Sequence, residues 1–306
     1  MSGWTWVEPF AGAAACALRL VGGPGLDPPV SWMGGKRRLA ADILGAMGVP
    51  PGQPSAVVLN DAGPWGWVWP LLLCQADGRK VAQVLRSWAG EEASALWQRL
   101  SDRGQVEDLH ERAAQWLWLQ ARSASGVPLW WDSGWRKGNK DGRTQVAGRG
   151  QRGTWRMGNA AGGERGASQK GTARGGPGGV QDPCTVADRI EAIGWAFSDV
   201  PWCVTHQDAM ALATAFRGAF VLIDPPYRGA TGYGWDMARG QVIELAQRWE
   251  AAGAPCVAVC EAEPVDVPGW RSIELTREGK PEWLTLSRPP SRLPERQAAL
   301  FDEAAP

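Results

Sequence analysis

The sequence has few of the side chains that a metal centre needs. It contains two histidines, His110 and His206, and six cysteines in 306 residues. Only Cys256 and Cys260 lie near each other, and they stand inside an apolar run rather than in a short metal-binding knuckle. We therefore expect no metal site, and we expect reduced thiols in a cytoplasmic protein.

Long apolar runs are also lacking, and we expect no signal peptide. The N-terminus has no basic region followed by an apolar stretch, as a secretory signal would have. The longest apolar run, at residues 65–74, is interrupted by Gly66 and Pro70 and is too short to cross a bilayer. We expect no membrane partner.

The chain has no net charge, because 32 basic side chains balance 32 acidic ones, but the charges are unevenly distributed. Residues 134–179 contain ten lysines or arginines, two acids and fifteen glycines, and the rest of the chain contains 22 basic and 30 acidic side chains. Such a segment buries too little apolar surface to offset the entropy of ordering it. We predict a flexible basic loop there, with a tolerated low-complexity insertion as the alternative.

Strand and helix patterns alternate along the other parts of the chain. Strands are predicted at "WTWVE", "SAVVLN", "WCVTH", "AFVLI" and "PCVAVCEA". Helical spacing is found at "AAACALRL", "KRRLAADILGAM", three segments between 79 and 122, "TVADRIEAIGWAF", "AMALATAF" and "QVIELAQRWEAAG". Residues 270–288 are typical of two strands joined by a turn. The alternation predicts an α/β sheet with an antiparallel hairpin at its end.

Polar residues follow several of the predicted strands. Glu8 ends the first strand, Asn60 and Asp61 end the second, and Asp208 and Asp224 follow later ones. Ligands of α/β sheets gather at the carboxyl ends of the strands, so these residues are expected to share one crevice. The turn after the first strand contains Gly12, which would let the backbone approach a ligand. An acid such as Asp61 suits a ribose diol, and together these features indicate a nucleoside-like ligand.

The stretch "FVLIDPPYRG" ends a buried strand in Asp224, Pro225, Pro226 and Tyr227. Two consecutive prolines fix two φ angles and remove two backbone donors, which leaves carbonyl groups as acceptors. The Asp224 carboxylate and the Pro225 carbonyl would then accept both hydrogens of an exocyclic amine, while Tyr227 offers a face for a planar heterocycle. The stretch therefore predicts a holder for an aromatic amino group.

Taken together, these motifs resemble those of the Dam-like DNA adenine methyltransferases. "DPPY" resembles the catalytic motif of amino-directed methyltransferases, and "VEPFAGAA" resembles their S-adenosylmethionine turn. "SWMGGKRRLA" at 31–40 resembles the family's glycine–glycine–lysine element, and "VVLND" its ribose-binding strand end. "ERAAQWLWLQARSASG", with "RKG" downstream, is loosely similar to the start of the DNA-recognition part.

The resemblance implies a fold, an activity and a set of partners. It implies a Rossmann-like methyltransferase sheet with a mainly helical DNA-recognition insertion. The corresponding ranges are 1–63 with 201–288 for the sheet, 64–200 for the insertion, and 289–306 for a tail. The implied activity is site-specific methylation of adenine N6 in double-stranded DNA, on a base rotated out of the duplex, with S-adenosyl-L-methionine as cofactor. The resemblance also implies that the protein acts in a bacterial or phage-infected cell. It implies a cognate restriction enzyme as partner, and a monomer or weak dimer.

Individual roles follow from the motif positions. The resemblance assigns the catalytic role to Asp224, Pro225, Pro226 and Tyr227. It assigns cofactor contacts to Phe10, Gly12, Trp32, Lys36, Asp61, Asp208 and Asp224. It assigns DNA contacts to Arg122, Arg136 and Lys137.

The chain departs from the family pattern in two ways. The glycine–glycine–lysine element follows the cofactor turn instead of preceding it, although both would still meet at one sheet edge. Ala14 replaces the usual second glycine of the turn, and its methyl group is expected to narrow the pocket. An RNA adenine-N6 methyltransferase and a catalytically decayed nucleic-acid-binding relative remain alternatives. A protein-glutamine methyltransferase would usually have asparagine in place of Asp224.

Simpler structural roles compete with several of these assignments. Asp224 could cap a turn, and Asp61 could be an ordinary strand-end residue. Lys36 could belong to a solvated face with Arg37 and Arg38. The tryptophans at 65, 67 and 69 are expected to be core residues.

Overall fold

A computed structural model describes residues 3–32, 34–104, 106–123, 182–213, 215–226, 237–275 and 281–291, together with three short strands between 129 and 147. The strands are β1 Thr5–Glu8, β2 Ala56–Asn60, β3 Leu129–Trp131, β4 Trp135–Lys137, β5 Gln145–Ala147, β6 Trp202–Thr205, β7 Phe220–Ile223, β8 Val257–Glu261, β9 Arg271–Glu274 and β10 Trp283–Leu286. The helices are α1 Ala15–Gly22, α2 Ala40–Met47, α3 Trp65–Leu73, α4 Gln75–Ser87, α5 Ala93–Asp102, α6 Leu109–Ala121, α7 Pro183–Ala196 and α8 Arg239–Ala251.

Seven strands form one mixed sheet in the order β6-β2-β1-β7-β8-β10-β9. The first five are parallel, and β10 runs antiparallel to both β8 and β9. The predicted α/β class and the terminal antiparallel hairpin are confirmed, and the arrangement is compatible with a Rossmann-like fold. In the sheet, β2 lies on one side of β1, and β7, which comes later in the chain, lies on the other side. The ends of β1 and β7 therefore flank a topological switch point, where α/β sheets bind ligands.

The central strands β2, β1, β7 and β8 are buried on both faces, as expected for parallel strands. Successive side chains of a strand point to opposite faces, so Trp6 and Val7 of β1 belong to different apolar clusters. The Trp6 face packs against α1 to α7, and the Val7 face packs against α8 through Leu245 and Trp249. These three layers hold the carboxyl ends of the strands in a fixed position.

The helices between residues 64 and 200 share the core of the sheet. Trp65, Trp69 and Leu72 of α3 are fully buried in the same cluster as Trp6 and Leu59. The expected core role of the tryptophans at 65 and 69 is thus confirmed. Within the described residues, the predicted boundary after residue 63 does not separate two cores. The assignment of 64–200 to DNA recognition stays a prediction.

One local expectation was wrong. In place of the predicted helix "AMALATAF", the structure has a single 3₁₀ turn at Ala209–Ala211. The Met210 amide in this turn donates to the Asp208 carboxylate at 2.9 Å. Eight residues are too few for a helix to form without strong tertiary support.

Two short strands fall within the basic segment 134–179, whose flexibility stays a prediction. β4 and β5 lie within it and pair antiparallel, with β3 on the other side of β4. The tryptophan and valine in these strands have side chains that favour extended structure. The other residues of the segment lie outside the described ones.

Two expectations concerning cysteines and membranes can be compared with the structure. All six cysteines are free, and Cys256 and Cys260 are buried at β8, as expected. Among the described helices, none has both the length and the apolar character needed to span a membrane.

Candidate functional site

The strand ends surround a cavity of about 720 Å³ at the switch point of the sheet. This volume lies within the range of small-molecule and cofactor sites. All seven residues predicted to contact a cofactor line it: Phe10, Gly12, Trp32, Lys36, Asp61, Asp208 and Asp224. Pro225 and Pro226 line it as well, and Tyr227 lies outside the described residues. The expectation that the polar strand ends share one crevice is confirmed for the acids but not for Asn60, which is buried outside the lining and donates to the Pro9 and Gln207 carbonyls.

The turn between β1 and α1 is fixed by the acid that ends β2. One oxygen of Asp61 accepts the Gly12 amide at 3.0 Å, and the other accepts the Gly63 amide at 2.8 Å. The indole of Trp69 donates to the Gly12 carbonyl at 2.8 Å. Burial raises the pKa of Asp61 to about 6, although both amide hydrogen bonds favour the carboxylate. Asp61 therefore connects two loops at the floor of the cavity, a contact that its sequence position alone did not indicate.

Trp32 packs over this turn. A Cβ atom added at Gly12, whose φ is +46°, would lie 3.2 Å from Nε1 of Trp32. Trp32 in turn meets Trp65 edge to face, with ring centroids 5.7 Å apart. The segment 31–40 thus lies beside the glycine turn although it comes later in the chain, as we expected.

Ala14, at the end of the turn, has the left-handed backbone conformation that usually requires glycine. Its φ and ψ are 48° and 40°, and it is the one non-glycine residue with positive φ among the described residues. Its side chain is buried and lines the cavity, as expected of a methyl group that narrows the pocket. An L-residue in this conformation costs about 1–2 kcal/mol.

Replacing Ala14 with glycine is expected to raise the free energy of unfolding by about 1 kcal/mol, because the strain of the left-handed conformation is removed. The matched control is Ala13→Gly, since Ala13 is equally buried but does not have positive φ. That change should lower stability by about 0.5–1 kcal/mol. Urea unfolding of both variants measures the difference, and equal destabilisation by the two changes would contradict the assigned strain.

Lys36 is the one cation among the described residues that line the cavity. Its Nζ lies 2.7 Å from Oδ1 of Asp224, 3.1 Å from Oε1 of Glu282 and 2.8 Å from the carbonyl oxygen of Gly34. Only 6% of the side chain is exposed. Burial favours the neutral amine, but the two carboxylates outweigh it and raise the pKa of Lys36. The expected alternative, a solvated face shared with Arg37 and Arg38, is therefore wrong for Lys36.

Asp224, Glu282 and Cys260 also form the one group of possible metal ligands found among the described residues, with ligand atoms within 4.8 Å of one another. The Lys36 ammonium binds both carboxylates of this group. The Lys36 side chain thus supplies positive charge between the carboxylates of Asp224 and Glu282.

Glu8 is a second buried carboxyl group at the cavity. Its Oε1 accepts the Trp6 indole and the Ala17 amide, both at 2.8 Å, and 4% of the residue is exposed. Burial raises the pKa of Glu8 to about 7, the two hydrogen bonds oppose this, and the charge of Asp224 adds to it. Near neutral pH this carboxyl group is therefore protonated to a larger extent than an exposed glutamate.

Glu8→Gln is expected to remove a pH dependence of stability. The folded-state pKa of about 7 lies above the ordinary 4.5, so the wild type loses stability as the pH rises from about 4.5 to 7. The difference corresponds to about 3 kcal/mol, and glutamine keeps an oxygen that can accept both hydrogen bonds. Unfolding at pH 4 and pH 8 measures it, with the exposed Glu107→Gln as control. If Glu8→Gln keeps the wild-type loss between these pH values, Glu8 does not titrate as described.

The predicted DNA-contacting residues have different positions. Arg122 follows α6 with 5% exposed surface, and its guanidinium lies over the Trp118 ring at 5.4 Å from the ring centroid. It is therefore not presented at the surface. Arg136 and Lys137 lie on β4, which belongs to the three-stranded sheet β3-β4-β5 and not to the seven-stranded sheet that forms the cavity. DNA contact by these three residues stays a prediction.

Sequence reasoning did not identify Glu282. It directly precedes β10, and because β10 is antiparallel to β8, its first residues lie at the edge where the parallel strands end. The predicted hairpin could have indicated this position. Met210, Met237 and Gln241 also line the cavity and had no predicted role.

No protein-family model matches the chain, and no curated protein matches it.

Proposed function

We propose that the protein is an S-adenosylmethionine-dependent methyltransferase that acts on the N6 amine of adenine in DNA. The observation that carries the proposal is the position of Asp224, which opens into the same cavity as the glycine turn held by Asp61. The cavity is thus lined both by the acceptor for an amine, which the two prolines fix, and by the glycine turn that is expected to bind a nucleoside. A role for Asp224 in capping a turn alone would not explain its ion pair with the buried Lys36, which Glu282 shares.

The charge of the cavity favours a cationic nucleoside ligand. Five acids, Glu8, Asp61, Asp208, Asp224 and Glu282, line it together with one lysine. Such a field attracts a sulfonium and an ammonium group and repels phosphates. A phosphate-bearing dinucleotide or triphosphate would need basic groups or unoccupied backbone amides, and the Gly12 amide already donates to Asp61. The donor and acceptor set therefore fits S-adenosylmethionine better than a phosphorylated cofactor.

The mechanism that we propose is mainly one of positioning. S-adenosylmethionine, when bound, supplies an electrophilic methyl group on a sulfonium. Asp224 and the Pro225 carbonyl would accept the two amine hydrogens and align the nitrogen for in-line attack. Positive charge develops on that nitrogen during transfer, and the adjacent Asp224 carboxylate would stabilise it. The proton leaves after the methyl group arrives, so no strong base is required.

A base stacked in duplex DNA cannot enter a cavity of this kind. The target adenine would therefore be rotated out of the helix and inserted between the 224–226 corner and the glycine turn. Tyr227, next in the chain after Pro226, would stack on it. The basic residues 134–179 would follow phosphates and supply affinity with little sequence information.

The test is transfer of labelled methyl groups from S-adenosylmethionine to mixed-sequence duplex DNA and to structured RNA, followed by nucleoside analysis. N6-methyladenine in the DNA is the expected product. Label in RNA alone would instead support the RNA enzyme, and cofactor binding without any transfer would support a decayed relative. Methylation of a cytosine or a protein side chain would contradict the proposal.

A further inference from the structure

The Lys36 ammonium has all of its hydrogen-bonding capacity in use. An ammonium has three N–H donors, and three acceptors lie within reach: Asp224, Glu282 and the Gly34 carbonyl. Because 94% of the side chain is buried, its charge is weakly screened by water. Lys36 is therefore held in one position, between the carboxylate that follows β7 and the one that precedes β10.

The net charge of this group depends on Glu282. Lys36 and Asp224 alone would form a neutral pair, and a neutral pair stabilises a neighbouring cation poorly. With Glu282 the group carries a charge of −1, with ligand atoms of Asp224 and Glu282 within 4.8 Å of each other. Positive charge that appears next to Asp224 is then attracted by the whole group, at a site where the surroundings are mostly protein.

Resting on the proposed function, we infer that Glu282 is a positioning residue for methyl transfer: it shares the Lys36 ammonium so that Asp224 keeps the negative charge that the methylated amine requires. The Lys36 ammonium orients the Asp224 carboxylate through their ion pair, and the negative charge of Glu282 offsets the positive charge of Lys36. Glu282 itself acts through Lys36 and need not touch the target base.

The same geometry accounts for the place of Glu282 in the fold. It is supplied by the terminal hairpin, where Trp283 pairs with Glu261 on one side and Glu274 on the other. The strand pairing fixes the backbone on both sides, so the carboxylate, 20% exposed, is held over the cavity edge. This hairpin therefore contributes a residue to the site as well as closing the sheet.

The test compares Glu282→Gln with Glu282→Asp. Glutamine keeps an acceptor for Lys36 but removes the charge, so the rate constant of methyl transfer at saturating cofactor and DNA should fall at least about tenfold. Aspartate keeps the charge and should restore most of the rate. The KM for S-adenosylmethionine should change less than about threefold in both variants. Glu263→Gln, the same charge change at a side chain that is 80% exposed, is the control.

Thermal unfolding of each variant accompanies the kinetics. A wild-type rate in Glu282→Gln would overturn the inference while leaving the proposed function in place. Equal rate losses in Glu282→Gln and Glu282→Asp that follow their losses of stability would also overturn it, because they would indicate a structural role alone. Absence of methyl transfer in the wild type would instead overturn the proposed function and this inference with it.

Discussion

Asp224→Asn is expected to slow methyl transfer about 1,000-fold while the fold remains intact. Asparagine has the same shape but no charge, and its NH₂ group would repel the amine that the carboxylate is proposed to hold. Losing a positioned group that stabilises charge in the transition state typically costs about 100- to 1,000-fold, and here one of the two acceptor oxygens is replaced by a donor as well. The Lys36 ammonium keeps Glu282 as a partner, so no buried charge is left alone.

Single-turnover methylation of duplex DNA measures this effect. S-adenosylmethionine affinity, determined separately, should fall only modestly, because Asp61 and the glycine turn are unchanged. Asp266→Asn, at an exposed position away from the cavity, serves as the matched control. A rate within about fivefold of wild type would contradict the role of Asp224 in holding the amine.

Lys36→Met is expected to lower the free energy of unfolding by about 3–5 kcal/mol. Removing one member of a buried ion pair leaves its partners uncompensated, and this usually costs more than the pair contributed. Here two carboxylates lose a shared ammonium, at 2.7 and 3.1 Å.

Urea unfolding tests this expectation. The exposed neighbour provides the control, since Arg37→Met should change stability by less than about 0.5 kcal/mol. The triple change Lys36→Met, Asp224→Asn, Glu282→Gln removes all three charges together and should recover much of the lost stability. If the triple variant is as unstable as Lys36→Met alone, stranded charge is not the cause.

Much of the site could be predicted from the sequence because α/β sheets concentrate polar residues at one edge. Glu8, Asp61, Asp208 and Asp224 each follow a strand, and a single rule about parallel strands was enough to bring them together. Gly12 was identified by the turn that it makes. Trp32 and Lys36 were assigned through a resemblance, and the cavity contains both.

The remaining features depend on distances in space that a linear pattern does not contain. The contact between Asp61 and the Gly12 amide joins residues 49 positions apart. Glu282 reaches Lys36 only because the hairpin joins the sheet next to β8. The alanine at position 14 also did not predict its left-handed conformation, because alanine rarely has a positive φ. The one indication was that glycine is usual at this position of the turn.

The helix predicted at 209–216 failed for a related reason. Its residues have good helix propensity, yet propensity over eight residues is a weak force. The Asp208 carboxylate closes a tight turn with the Met210 amide instead, which places Asp208 and Met210 at the cavity. Local hydrogen bonding thus determined the structure of this segment.

Calorimetric titration with S-adenosylmethionine tests the central claim most directly, namely that the acidic crevice binds a sulfonium nucleoside. The account predicts saturable binding of one molecule per chain, weakened by Gly12→Ala because the added methyl group would meet the indole of Trp32. ATP and NAD, with their phosphates, should bind far more weakly. No heat of binding with S-adenosylmethionine, or tighter binding of either phosphorylated nucleotide, would contradict it.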